Sequence, residues 1–302
     1  MSTVTDATSR TQFAASISEL NEIRSRDPGR IKRLLVGRRK RELLGPDGKL
    51  MIIACDHPAR GALSAAGKAN AMASRTDLLD RLVTALTRQG VDGLLATADI
   101  AEDLLMLGVL EEKLVIASMN RGGLQGATFE MDDRNTGYDV QGTVDAGFEG
   151  AKMLLRIDLE DAATVATLER CGEAVTALNR AELIAMVEPF ISTRFGGKIV
   201  NDLSAEAVIK SVHIAQGLGA SSAYTWMKLP VVHEMERVMD ATTLPTLLLG
   251  GDPDSAPDET YAAWQAALAL PSVRGLVVGR TMLYPADNDV AKAVDTAVSL
   301  VR

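Results

Sequence analysis

The chain has 302 residues, 47% apolar and 24% charged, with a formal net charge of −8 and two cysteines. This length allows one large domain or two ordinary ones with a sizeable core, and the net acidity argues against a nucleic-acid binder. Cys55 and Cys171 show no motif spacing, which argues against a disulfide framework or a structural zinc site and fits a reducing cytoplasm. No run of about 18 apolar residues is present, so no transmembrane helix is expected. Residues 1–10 are polar and lack the apolar stretch of a secretory signal.

Residues 11–44 carry a helical pattern broken at Asp27-Pro28-Gly29, with Leu20, Ile23, Ile31, Leu34 and Leu35 as an approximate apolar stripe. The basic cluster from Arg30 to Arg41 reads as a solvated helix face rather than a patch for an anionic partner. Pro46-Asp47-Gly48 is a turn. Residues 50–55 form a short apolar run, as a strand buried on both faces requires, and lead into Asp56-His57-Pro58. An amphipathic helix over 75–89 stops at Gly90. A strand over 91–96, a helix over 99–109 and a strand over 113–117 follow. A long polar loop covers 120–139, and a helical segment opens near 143. The fourth strand spans 150–157 and a helix 162–180. The fifth strand, 183–187, ends in Glu188-Pro189-Phe190. Ser204 caps a helix that closes at Gly219. The sixth strand, 221–230, contains Lys228. A helix over 232–242, a strand over 245–249 and Gly250-Gly251-Asp252 come next. A helix over 258–269, a strand over 273–278, Gly279-Arg280 and a helix over 290–301 complete the chain.

Eight short apolar strands alternating with helices predict an α/β fold whose parallel sheet is covered on both faces. Eight such units at this length predict a (β/α)8 TIM barrel over 46–302, with an N-terminal helical extension over 1–45. The competing open, doubly wound sheet expects Gly-x-Gly-x-x-Gly after its first strand. Here Gly217-Leu218-Gly219 precedes a strand instead.

Barrels place functional groups at the C-terminal ends of their strands. Ionisable residues recur there: Asp56 and His57 after the first strand, Lys152 and Arg156 on one face of the fourth, Glu188 after the fifth, Lys228 at the end of the sixth. A lysine within an apolar strand is costly unless paired or neutralised. Burial, and a cation such as Lys152 or Arg156 nearby, would favour the neutral amine of Lys228, which attacks a ketone to form a Schiff base. A structural ion pair with Glu188 is the bland alternative. Glu188 is a candidate acid/base and otherwise the counter-ion of the lysine. Asp56 is a candidate for proton transfer or for holding hydroxyls, and otherwise caps the turn before Pro58. His57 and Arg156 are candidates for substrate contact. Gly250, Gly251, Gly279 and Arg280 follow the last two strands, where freed backbone N–H groups and a guanidinium make an anion site. Three histidines without ligand spacing argue against a catalytic metal, and no cofactor is expected.

The chain resembles the class I (Schiff-base) aldolase superfamily that includes deoxyribose-phosphate, tagatose-bisphosphate and archaeal-type fructose-bisphosphate aldolases. The resemblance runs from about Leu50 to the C-terminus. It rests on Ala54-Cys-Asp-His57, Lys152, Val187-Glu-Pro189, Trp226-Met-Lys-Leu-Pro230, Leu249-Gly-Gly251 and Val278-Gly-Arg280. It implies that Lys228 forms the Schiff base, that Glu188, Lys152 and Asp56 surround the carbonyl, and that Gly251 and Arg280 hold a phosphate. Where tagatose-type members carry Asp-Gln-Arg, this chain has Asp56-His57-Pro58; where archaeal fructose-type members use a tyrosine, it has Glu188. The chain looks most like a bacterial branch linked to sugar-acid or inositol breakdown. That implies a cytoplasmic, homo-oligomeric lyase acting on a phosphorylated keto-sugar such as 2-deoxy-5-keto-6-phosphogluconate. A sulfosugar-phosphate aldolase and a non-catalytic sugar-phosphate-binding barrel are the alternatives. Arg121, Arg134 and Arg194 read as solvated loop charges rather than a second anion site.

Overall fold

A computed structural model describes residues 15–120, 123–250 and 257–302. Helices α1 (Leu20–Arg26) and α2 (Gly29–Gly37) are separated at Asp27-Pro28, where the break was expected. The first half of the barrel is β1 (Leu50–Cys55), α3 (Arg75–Leu86), β2 (Gly93–Ala96), α4 (Ala98–Met106), β3 (Leu114–Ser118), α5 (Val140–Asp145), β4 (Gly150–Ile157) and α6 (Ala163–Arg180). The second half is β5 (Ile184–Phe195), β6 (Lys198–Asn201), α7 (Ala205–Gln216), β7 (Thr225–Pro230), α8 (Met235–Asp240), β8 (Thr246–Leu249), α9 (Pro257–Leu268), β9 (Val273–Val278), α10 (Arg280–Leu283) and α11 (Val290–Val301).

The strand order is β4-β3-β2-β1-β9-β8-β7-β5, and pairing of β4 with β5 closes the ring. All eight ring pairings are parallel, so the chain forms a closed TIM barrel. Alternation divides each strand's side chains between two cores. Met51, Ile53 and Cys55 of β1 face outward into the helix layer. Leu50, Ile52 and Ala54 face the interior with Ile116, Met186 and Trp226. Gly275 fits the crowded interior as no other residue could: its φ is +128°, and a Cβ there would lie 1.9 Å from the Leu50 carbonyl oxygen.

Several boundaries differ from the sequence expectation. The fifth strand does not stop at Val187 but runs on to Phe195, and turns back through Gly196-Gly197 (φ +57° and +79°) into antiparallel β6. Strand β7 begins at Thr225, because Ser222 closes a turn onto the Thr225 amide and Asn179 holds the Tyr224 amide. The helix expected over 232–242 shortens to α8. Helix α7 is capped by Ser204 as expected, with the serine hydroxyl accepting from the Ala207 amide, but it ends at Gln216, with Gly217 rather than Gly219 closing it.

The basic cluster is not simply a solvated helix face. Helix α2 ends at Gly37, and the following segment clamps the barrel bottom. Arg38 is buried and donates to the carbonyls of Lys113 and Gly147 and to Glu149. Arg39 pairs with Glu111, and Arg41 with Asp92. Leu43 and Leu44 then pack under the interior cluster, so the extension closes the end of the barrel opposite the strand C-termini. Among the described residues no helix is long and apolar enough to cross a membrane.

Candidate active site

A cavity of about 720 Å³ opens at the C-terminal end of the barrel. Its floor is an ionic chain assembled by strand register. The β5–β7 pairing sets Val187 against Met227, so the next residues, Glu188 and Lys228, face each other. Lys228 Nζ donates to Glu188 Oε1 at 2.5 Å, and Lys152 Nζ lies 2.5 Å from Glu188 Oε2. Lys152 Nζ also donates to Asp56 Oδ2 at 3.1 Å, and the Ser118 hydroxyl donates to the same oxygen at 3.0 Å. Two ammonium groups and two carboxylates thus form one buried array; Lys152 is only 1% exposed and Lys228 5%.

Burial alone would raise the Glu188 carboxyl, but the charges and hydrogen bonds of Lys152 and Lys228 overcome it and hold the group well below the usual carboxylate range. Asp56 occupies the cap position of the 3₁₀ turn His57–Arg60, yet its side chain makes no capping bond there. Its carboxylate bonds Lys152 and Ser118 instead.

His57 lines the cavity with its side chain 29% exposed to it. Its Nδ1 lies 3.6 Å from Asp56 Oδ1 and has no hydrogen-bond partner among the described residues. Burial first, and then the charges of Arg280 and Lys228, hold its imidazole well below the usual histidine value, so the ring is neutral at pH 7. His213 and His233 are exposed, away from the cavity. Cys55 and Cys171 are buried, burial pushes both thiols up to about 12, and neither lines the cavity.

Arg156 also lines the cavity, but its guanidinium holds the loop after β3. Its Nε and Nη2 reach Asp133 at 2.8 and 2.6 Å, and Nη2 also donates to the Glu130 carbonyl. Arg60 joins this cluster through Glu130 Oε1 at 2.9 Å. The side chain of Asn120 bonds both backbone groups of Leu154, tying the loop to the end of β4. Arg194 meets the same loop at the Thr128 carbonyl, and Arg134 pairs with Asp132. Arg121 lies outside the described residues.

Gly250, Gly279 and Arg280 line the β8–β9 side of the cavity; Gly251 lies outside the described residues. A Cβ on Gly279 would come within 2.4 Å of the Ala54 carbonyl oxygen, so only glycine lets the end of β9 close against β1 and set Arg280 at the rim.

Ser118, Arg60, Glu130 and Asp133 belong to the site and escaped the sequence reading. Ser118 lies one residue beyond the expected end of its strand, at a strand terminus like the others, so the strand-end rule would have found it. The other three sit in irregular segments with no periodic signal.

The sequence matches the Cgl0159-like family over residues 48–298. The crystal structure of Cgl0159 from Corynebacterium glutamicum is similar at 58% identity and a TM-score of 0.92, over 94% of this chain and 96% of that one. An archaeal fructose-1,6-bisphosphate aldolase, solved with its catalytic lysine covalently bound to the carbinolamine intermediate of the substrate, is similar at 18% identity and a TM-score of 0.62, over 90% of this chain and 99% of that one. A fructose-bisphosphate aldolase from Slackia heliotrinireducens is similar at 13% identity and a TM-score of 0.61, over 97% and 90% of the two chains. These last two likenesses are of fold. No curated protein matches the chain.

Proposed function

The chain belongs to the Cgl0159-like family, and we propose that it is a class I aldolase, a lyase that reversibly cleaves a phosphorylated keto-sugar or keto-sugar acid through a Schiff base on Lys228. The observation that carries this reading is the buried array of Lys228, Glu188, Lys152 and Asp56 at the mouth of the barrel. The fold shared with aldolases, and the covalently bound lysine of the archaeal enzyme, support it by analogy.

The short contact between Lys228 Nζ and Glu188 Oε1 supplies the first step. Lys228 passes a proton to Glu188, and the neutral amine attacks the substrate ketone. Losing the Lys228 ammonium removes one of the two charges that depress the Glu188 carboxyl, so the carboxyl can hold the proton. Glu188 returns it to the carbinolamine hydroxyl, which leaves as water and gives the protonated imine. A carboxylate then removes the proton from the hydroxyl two carbons away. The carbon–carbon bond breaks, its electron pair flows into the imine, and the aldehyde departs. Protonation of the resulting enamine and hydrolysis of the imine release dihydroxyacetone phosphate and regenerate Lys228. Lys152 remains an ammonium group between Glu188 and Asp56, orienting both and stabilising negative charge on them.

The phosphate is assigned to Gly250, Gly251, Gly279 and Arg280, with His57 as a neutral contact to the substrate. The substrate assigned from the family resemblance is 2-deoxy-5-keto-6-phosphogluconate, yielding dihydroxyacetone phosphate and a three-carbon aldehyde acid. A cytoplasmic location and a homo-oligomeric state belong to the same reading and are tested by fractionation and by sedimentation.

Borohydride trapping tests the mechanism. The protein is mixed with dihydroxyacetone phosphate, reduced and digested, and the adduct is expected on Lys228 alone. Absence of an adduct, or one that persists in Lys228→Met, overturns the Schiff-base assignment. Binding of sugar phosphates without cleavage or trapping supports a non-catalytic barrel instead.

A further inference from the structure

On one face of a strand, side chains two residues apart stand one above the other. Two residues beyond Lys152, Glu188 and Lys228, toward the barrel mouth, are Leu154, Phe190 and Pro230. All three are buried and all line the cavity. The ionic floor is therefore overlaid by an apolar layer on the β4–β5–β7 side. The β8–β9 side is different, with Gly250, Gly279 and Arg280. Strand β9 stands across the barrel from β4, four strands round in either direction.

A ketose phosphate held as an imine on Lys228, with its phosphate toward Arg280, extends its remaining carbons toward β4 and β5. There it meets the side chains of Leu154 and Phe190, which offer no hydrogen-bond partner. A substrate hydroxyl at that level loses its water and gains nothing in return, whereas a methylene or methyl group gains by being buried.

We propose that Leu154, Phe190 and Pro230 form a specificity layer, selecting substrates whose departing aldehyde carries a reduced carbon, CH₂ or CH₃, next to its carbonyl. This inference rests on the Schiff-base reading above and assigns these three residues a role in choosing the aldehyde. In the condensing direction the enamine carbon of bound dihydroxyacetone phosphate bonds to the aldehyde carbon. The aldehyde oxygen takes a proton, the imine is restored, and water then frees the product.

The test compares acceptors on the wild-type protein, with dihydroxyacetone phosphate as donor. Acetaldehyde and propanal are set against glycolaldehyde and glyceraldehyde, and borohydride trapping of the donor is measured in parallel. The expected result is trapping on Lys228 and a kcat/KM for the reduced aldehydes higher by roughly ten- to a hundredfold, the range over which an apolar pocket rejects an added hydroxyl. Trapping with equal or faster addition of the hydroxylated aldehydes overturns the inference and leaves the Schiff base standing. No trapping overturns both. Phe190→Tyr, which adds one hydroxyl to the layer, is expected to narrow the preference; an unchanged ratio removes Phe190 from the role.

Discussion

Glu188 presents one carboxylate oxygen to Lys228 at 2.5 Å and the other to a second lysine at the same distance. The pairing of Lys228 with Glu188 joins the proposed nucleophile to its proposed proton acceptor, and it comes from two parallel strands whose register places the residues side by side.

Replacing Lys228 by methionine removes the amine while keeping much of the side chain's volume. Carbon–carbon cleavage is expected to fall by roughly a thousandfold or more, because the proposed electron sink is the imine on Lys228. Steady-state rates with borohydride-reduced controls check this.

Glu188→Gln affects both chemistry and stability. The proton-transfer role predicts a loss of about 10²–10⁴-fold in kcat. Removing the anion between two buried ammonium groups is expected to destabilise the fold by about 3 kcal/mol, read as a lower urea midpoint. The wild-type carboxyl is depressed below its ordinary 4.5. Its contribution to stability is therefore present above that pH and is lost as pH falls through the lower folded value.

His57 has a pH signature of the same sign in a higher window. Its imidazole is harder to protonate in the folded protein than its ordinary value of 6.5. Below about pH 6.5 the unfolded chain binds the extra proton, so stability falls as pH is lowered from about 7 toward 5. His57→Gln is expected to flatten that slope. Denaturation midpoints measured across this window decide it.

Arg156 holds the loop after β3 through Asp133 and Glu130. Arg156→Met leaves two buried carboxylates short of their counter-charge, with an expected cost of about 3–5 kcal/mol. Hydrogen exchange should rise first across residues 123–139, ahead of the barrel strands. Uniform acceleration over the whole chain would show that Arg156 supports the barrel generally rather than this loop.

Gly279→Ala places a methyl group against the Ala54 carbonyl. The overpacking is expected to cost about 1–3 kcal/mol and to displace Arg280 beside it. KM for a phosphorylated substrate should rise more than kcat falls, because Arg280 is assigned to binding.

Strand-end logic located Lys152, Glu188 and Lys228 because each is an ionisable residue in or directly after an apolar run. It was silent on the β5–β6 hairpin, since β6 has only four residues, none of them buried. It misread Arg38, whose charge pattern on the chain looks like that of any solvated arginine. Only the fold carries this guanidinium to the carbonyls of Lys113 and Gly147.

Local sequence is enough to specify the architecture and to single out the candidate side chains. Eight apolar runs with no polar face can be satisfied only by a sheet covered on both sides, and buried lysines stand out against such runs. What the tertiary structure decided is which groups meet. Asp56 and Lys152 are 96 residues apart along the chain, and Lys228 and Glu188 are 40 apart. Their separations in space come from barrel closure and strand register, which no local pattern encodes. The same closure places Leu154, Phe190 and Pro230 above the ionic floor, so residues that look like ordinary core in sequence face the cavity.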